Sequence, residues 1–240
     1  MKIHKTLPSS EYYLILTLRT FGNFLILSSL FFIGKTFYQP VREEVRYFID
    51  QQNNKQYVVA SAEEAPQIKE EIERQIEKGA FAKAAQKKNV EVLVPIDPNF
   101  SIVIPKIAAN ARIVSNVDAA DKETYMEALK HGVAHTEGTA FPGEPGHIFM
   151  FAHSTDFAWN VGTYNAVFYL LYKLENNDEI NIFYKGQRFV YKVVGREVID
   201  PSQIEYITRT TDKEFLTLQT CWPPGTTLKR ILIFAERVVE

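Results

Sequence analysis

Phe215-Leu216-Thr217-Leu218-Gln219-Thr220-Cys221-Trp222-Pro223-Pro224-Gly225 decides how this chain is read. Its first four residues are apolar and β-prone, and the run ends at the cysteine. Pro-Pro-Gly cannot continue a strand, because proline has no amide to give to a ladder. Cys221 therefore sits at the lip of a strand, where loops meet and sites form. It is the only cysteine among 240 residues. A lone thiol makes no intrachain disulfide and builds no cysteine-rich metal site. Lone cysteines are most often small buried hydrophobes. A position just before a chain break points instead to a nucleophile.

A nucleophilic thiol needs company, since only a few per cent of an ordinary cysteine is ionised at neutral pH. The chain has five histidines. His4 precedes an apolar segment and is the poorest partner. His131, His135 and His147 fall in a polar, Gly-rich stretch and are expected at the surface or in loops. His153 ends the run Ile148-Phe149-Met150-Phe151-Ala152, which reads as a buried strand, and Ser154-Thr155-Asp156 follows as turn chemistry. It is thus a second strand-end residue, able to face Cys221 across a shared rim. Arg230 opens the last apolar run. A charged strand start is commonly just a solvated end, but a guanidinium near a thiol stabilises a thiolate and can hold an oxyanion. Lys229 is its neighbour, and side-chain alternation lets only one of the pair face the site.

Working outward, short apolar runs recur from residue 90 on: 90–94, 101–104, 112–117, 148–152, 179–184, 187–194, 215–218 and 230–238. Such spacing predicts an all-β barrel or sandwich. Residues 122–130 and 165–174 read as short helices. About 150 residues is ample for one core. Upstream, residues 63–88 are rich in Glu, Lys, Gln and Ala, with Ser61 and Glu64 as a capping box and Ile68, Ile72 and Ile76 as a narrow stripe. This predicts a charged helix over part of a linker at 41–89, either a solvated stalk or a helix packed on the following domain. Residues 12–34 are apolar and long enough to span a bilayer, interrupted by Arg19. A central arginine costs about 2.5–3.5 kcal/mol on insertion scales. The cheaper register runs from 20 to 38, with Arg19 at one rim and Lys35 snorkelling at the other. No small-residue cleavage site follows, so residues 1–40 are expected to be a tip and an uncleaved signal anchor. The 27 basic and 29 acidic residues leave a net charge of −2 with mixed signs, which gives a nucleic-acid role no support.

The residues around the cysteine resemble a known family. Thr217-Leu218-Gln219-Thr220-Cys221 is similar to the TLxTC signature of sortases, the cysteine transpeptidases of bacterial cell surfaces. The order agrees as well: a strand ending at His153, then TLxTC, then an arginine nine residues on. Residues 138–146 resemble the GTxxPGxxG stretch before the family histidine, Ile104-Pro105-Lys106-Ile107 an early I-P-K-I strand, and 174–180 the L..GD.I segment, with Asn177 where glycine is usual. Two further departures are Ala152 for a common glycine and His147 for a common asparagine. The resemblance runs from about residue 90 to 240. A papain-like reading fits badly, because there the histidine follows the cysteine.

The resemblance implies a closed eight-stranded sortase-like barrel over 90–240, held outside the cell by the N-terminal membrane helix. It implies catalytic roles for Cys221, His153 and Arg230, with Thr220, Ala152 and Trp222 at the substrate. The implied partners are surface proteins bearing an LPxTG-like C-terminal sorting motif and an amine acceptor on a cell wall precursor or pilin. No organic cofactor is implied. Some sortases hold calcium at loop carboxylates, but Glu137, Glu144, Asp156 and Asp178 lack a ligand spacing like that of an EF-hand. The segment 196–212, leading to the cysteine strand, is expected to contribute to motif choice. A thiol peptidase of the same fold that mainly hydrolyses the motif is the alternative. A non-catalytic, membrane-anchored binding module has no need of thiol, imidazole and guanidinium together.

Overall fold

The computed structural model describes residues 9–77, 90–154 and 166–238. Helix α1 (Ser9–Gln52) runs unbroken through Pro40. Its stretch Ser10–Lys35 is long and apolar enough to cross a membrane, and none of it is buried in the protein. Arg19 is one of the residues of that stretch. Strand β1 (Gln56–Val59) follows, then helix α2 (Ala65–Glu77). The capping box forms as expected: Ser61 N donates to Glu64 Oε2 (3.0 Å) and Glu64 N to Ser61 Oγ (3.2 Å). Ile68 and Ile72 are half-buried, and the remainder of the expected helix, beyond residue 77, lies outside the described residues. Strand β2 (Val90–Leu93) pairs with β1 in a parallel two-stranded sheet.

Strands β3 (Phe100–Ile104), β4 (Ala109–Val117), β5 (Val133–Thr136), β6 (His147–Phe151), β7 (Glu179–Tyr184), β8 (Gln187–Ile199), β9 (Phe215–Trp222) and β10 (Lys229–Arg237) close into a barrel. Their order is β10-β8-β7-β3-β4-β5-β6-β9, and β9 pairs back on β10. Alternate residues of each strand fill the interior. Ile102, Ile104, Ile148, Met150, Ile180, Ile182, Leu216 and Leu218 belong to one buried cluster. Two seams are parallel, β4 with β5 and β6 with β9. A parallel pair needs a crossover, and helix α3 (Lys122–His131) supplies the one between β4 and β5. Asp121 caps α3 by accepting from Glu123 N and Thr124 N. Gly132 ends it where no side chain fits: a Cβ there would lie 2.1 Å from the carbonyl oxygen of Arg112.

Eight strands match the number of apolar runs, but not their membership. The run at 90–94 becomes β2, outside the barrel, and β5 takes its place. β5 reads Val-Ala-His-Thr, too short and too polar to count as a run. Its His135 is buried rather than at the surface. Asn116 N, in a bulge of β4, donates to His135 Nδ1 (3.4 Å), leaving Nε2–H to donate to the Ala140 carbonyl (3.0 Å). His147 is likewise buried, sharing a 2.8 Å hydrogen bond between Nε2 and Thr217 Oγ1. Burial holds His135 below its ordinary pKa; burial and the nearby Arg209 push His147 down to about 4. Both histidines are neutral structural groups. His131 is exposed at the end of α3, as expected, beside Glu127. The expected helix at 165–174 is reduced, over its described part, to turns and a short 3-10 segment, Leu171–Lys173.

Candidate active site

Strands β6 and β9 run parallel, with Phe151 level with Gln219. Two further steps along both chains bring His153 level with Cys221. The alignment is enforced past the last ladder pair. Ala152 N donates to the Gln219 carbonyl (3.1 Å), and Thr220 Oγ1 donates to the Ala152 carbonyl (2.8 Å). On the other side, antiparallel pairing sets Arg230 directly opposite Cys221. Directly opposed residues share a face, with Cβ atoms about 4.5–5.5 Å apart. Histidine, cysteine and arginine thus form one row across three adjacent strands. All three line a single groove of about 550 Å³.

Apolar side chains from separate elements wall this groove. Tyr125, Met126 and Leu129 come from α3, and Phe149 and Phe151 from β6. Ile199, Pro201, Ile204 and Ile207 come from the end of β8 and the segment after it. β8 itself takes the first four residues of the segment at 196–212, and Pro201, Gln203, Ile204 and Ile207 of its remainder line the groove. The α3 wall was missed from sequence, although Tyr125 and Leu129 carry the i, i+4 spacing of a buried helical face. The turn between β9 and β10 closes the groove with Gly225, Thr226 and Thr227.

Cys221 is half-buried. Burial pushes its thiol up from the ordinary value, and the Arg230 charge opposes that rise. Arg230 Nη1 donates to the carbonyls of Thr227 (3.2 Å) and Lys229 (3.0 Å), which folds the guanidinium onto the turn beside the groove. Lys229 pairs instead with Asp200 at 3.3 Å. The alternation anticipated for the Lys229–Arg230 pair therefore selects the arginine. The His153 carbonyl accepts from Phe168 N (3.3 Å), fastening the histidine's backbone to the chain that returns at residue 166.

Thr220 and Ala152 both line the groove, joined by their hydrogen bond. Trp222 is not among its lining residues; its ring packs on Tyr172, centroids 5.1 Å apart. Of the acidic loop residues considered for calcium, Glu144 accepts from Phe141 N (3.2 Å) and Asp178 pairs with Lys106 (3.1 Å). Asp156 lies outside the described residues. Among the described residues, no three His, Cys, Asp or Glu side chains group as metal ligands.

The chain is similar to known proteins. The sortase domain family profile matches residues 102–238. Sortase D of Bacillus subtilis (strain 168) is 31% identical over 138 residues, which is 56% of this chain and 61% of that protein. The chain thus matches less than two thirds of that relative's length. Among solved structures, sortase C-1 of Actinomyces oris has TM-score 0.50 at 28% identity, over 60% of this chain and 75% of its own. Sortase C1 of GBS pilus island 1 has TM-score 0.50 at 26% identity, over 59% of this chain and 64% of its own. The matched region takes in every barrel strand from within β3 onward, and with it the row of His153, Cys221 and Arg230. By this extended match, the chain belongs to the sortase family.

Proposed function

We propose that this protein is a membrane-anchored cysteine transpeptidase that cleaves an LPxTG-like sorting motif and joins the substrate protein to an amine. The observation that carries the proposal is the row of imidazole, thiol and guanidinium on three adjacent strands at one groove. Cys221 Sγ attacks the carbonyl carbon of the scissile peptide bond and His153 takes the thiol proton. The oxygen becomes an oxyanion, held by the Arg230 fork. The C–N bond breaks, the leaving amine takes the proton back from His153, and a thioester remains on Cys221. An incoming amine then attacks the thioester carbon, loses a proton to His153, and frees the thiol. The apolar groove walls suit the aliphatic residues of a sorting motif. Burial raises the resting thiol's pKa and the Arg230 charge opposes that rise.

The acceptor is an amine of a cell wall precursor or a pilin lysine; helix α1 supports a single-pass anchor, and membership of the sortase family supports a barrel outside the cell. The test is incubation of the full chain in detergent with an LPxTG-like peptide, with and without an amine. The reading expects amine-dependent joined product, abolished in Cys221→Ala while the circular dichroism of the fold persists. Cleavage that ignores the amine would replace transfer by hydrolysis, and turnover by Cys221→Ala would remove the mechanism.

A further inference from the structure

Helix α1 does not stop at its apolar stretch. It continues past residue 35 and docks on the barrel through one face: Glu43, Glu44, Arg46, Tyr47 and Asp50 are buried or half-buried, at helical spacing. Arg46 Nη2 donates to the Ile107 carbonyl (2.9 Å). Glu44 reaches furthest. Its Oε1 accepts from the Tyr172 hydroxyl, and its Oε2 pairs with Lys173 Nζ at 3.2 Å. Burial and the Glu44 carboxylate both hold the Tyr172 hydroxyl above its ordinary pKa, so it remains a donor. Arg196 Nη1 fixes the Tyr172 backbone through its carbonyl (3.0 Å). The Tyr172 ring then packs on Trp222 at 5.1 Å and 52°. Trp222 is the residue after the nucleophile, and with Lys229 it forms the last β9–β10 pair before the turn.

We infer that Glu44 and Tyr172 are positioning residues that tie the row of His153, Cys221 and Arg230 to the helix carrying the apolar span. Side chains alternate along β9, so Cys221 faces the groove while Trp222 falls on the opposite face, the one on which Leu216 and Leu218 meet the core. A terminal strand pair next to an exposed turn frays unless something outside holds it. The Tyr172 ring, itself held by α1, supplies that hold. With the Trp222–Lys229 pair fixed, the adjacent Cys221–Arg230 pair keeps its spacing across the groove. The barrel's chemistry is thereby coupled to α1 through two side chains that touch neither substrate nor thiol.

The test uses the full chain in detergent with Trp159→Phe throughout, which leaves Trp222 as the one tryptophan of the original two. Glu44→Ala, Tyr172→Phe and the double variant are compared below the melting temperature of each. Each single change is expected to lower kcat for a motif peptide roughly three- to ten-fold at unchanged KM, to slow alkylation of Cys221 by iodoacetamide, and to shift Trp222 emission to the red. The double variant should be no worse than either single, because both cut the same link. Glu44→Gln keeps an acceptor for the hydroxyl and should restore most of the loss. Emission and kcat like those of the parent, or losses that multiply in the double variant, would overturn the coupling. The turnover readout rests on the transpeptidase reading. If the parent protein turns over no peptide, that reading fails by itself, and alkylation and emission still decide the coupling.

Discussion

Arg230 and Cys221 oppose each other energetically as well as in register. Burial raises the thiol pKa, and the cation across the strand pair works against that rise. Removing the cation leaves burial alone. The alkylation profile of Cys221 in Arg230→Ala should therefore move to higher pH. The sign follows from the thiolate being the reacting form: loss of a positive neighbour disfavours it, so labelling at a fixed pH below the midpoint slows by about three- to ten-fold. Arg230→Lys keeps the charge and should keep most of the labelling rate. It should lose more in turnover, because a point charge does not reproduce the two-pronged fork at an oxyanion. Titrating iodoacetamide labelling of the three proteins checks this, and coincident profiles would strip Arg230 of its electrostatic role.

The parallel β6–β9 seam decides where the histidine stands. Regular pairing ends at Phe151 and Gln219; beyond it Ala152 N still donates to the Gln219 carbonyl, and the link after that is a side chain, Thr220 Oγ1 on the Ala152 carbonyl. Thr220→Val keeps shape and volume but removes that donor. The expected cost is about 1–2 kcal/mol in stability, and roughly ten-fold in kcat as His153 loses its level with the thiol. Alkylation of Cys221 should change little, since β10 still holds it; comparing turnover with labelling separates the two. The TLxTC resemblance made Thr220 legible as a site residue, though its bond to Ala152 needed the fold. β5 stayed hidden for a related reason. Val133-Ala134-His135-Thr136 presents only two clearly apolar residues, and its strand character comes from β4 and β6 on either side. His135 and His147 looked solvated because glycine and polar residues surround them in sequence. Their burial comes from strand partners far away in the chain, which local pattern does not carry. The row of His153, Cys221 and Arg230 was readable because strand ends, chain breaks and residue chemistry coincide within a few positions of Cys221 and His153.

For the molecule as a whole, the segment before residue 90 does two separate things. Charged composition over 63–88 suggested either a solvated stalk or a helix packed on the following domain, and a few residues just upstream pack on the barrel. Val59, Val103 and Phe183 form a second buried cluster with Leu93 against it, covering the outer face of β3 and β7. Arg188 bridges the layers, donating Nη1 to the Val59 carbonyl (3.0 Å) and Nε to Asn181 Oδ1 (2.7 Å). A chain beginning at residue 90 therefore loses Val59, leaves β2 without its partner strand, and bares the outer face of Val103. Burying one such valine is worth about 1.5–3 kcal/mol and a lost hydrogen bond about 1 kcal/mol, so the shortened protein should lose about 2–4 kcal/mol. A chain beginning at residue 54 keeps β1 and loses α1. It should retain most of the stability of the full chain but share the slowed turnover of Tyr172→Phe, because the Glu44 link is gone. Urea unfolding of the two shortened proteins, with kcat measured on the same samples, separates the contributions. A lower midpoint should appear only for the start at 90, and lowered kcat at saturating peptide for both. Equal midpoints would mean that the β1–β2 sheet adds nothing to the barrel. Full turnover from the start at 54 would mean that the barrel works without the helix on which it is mounted.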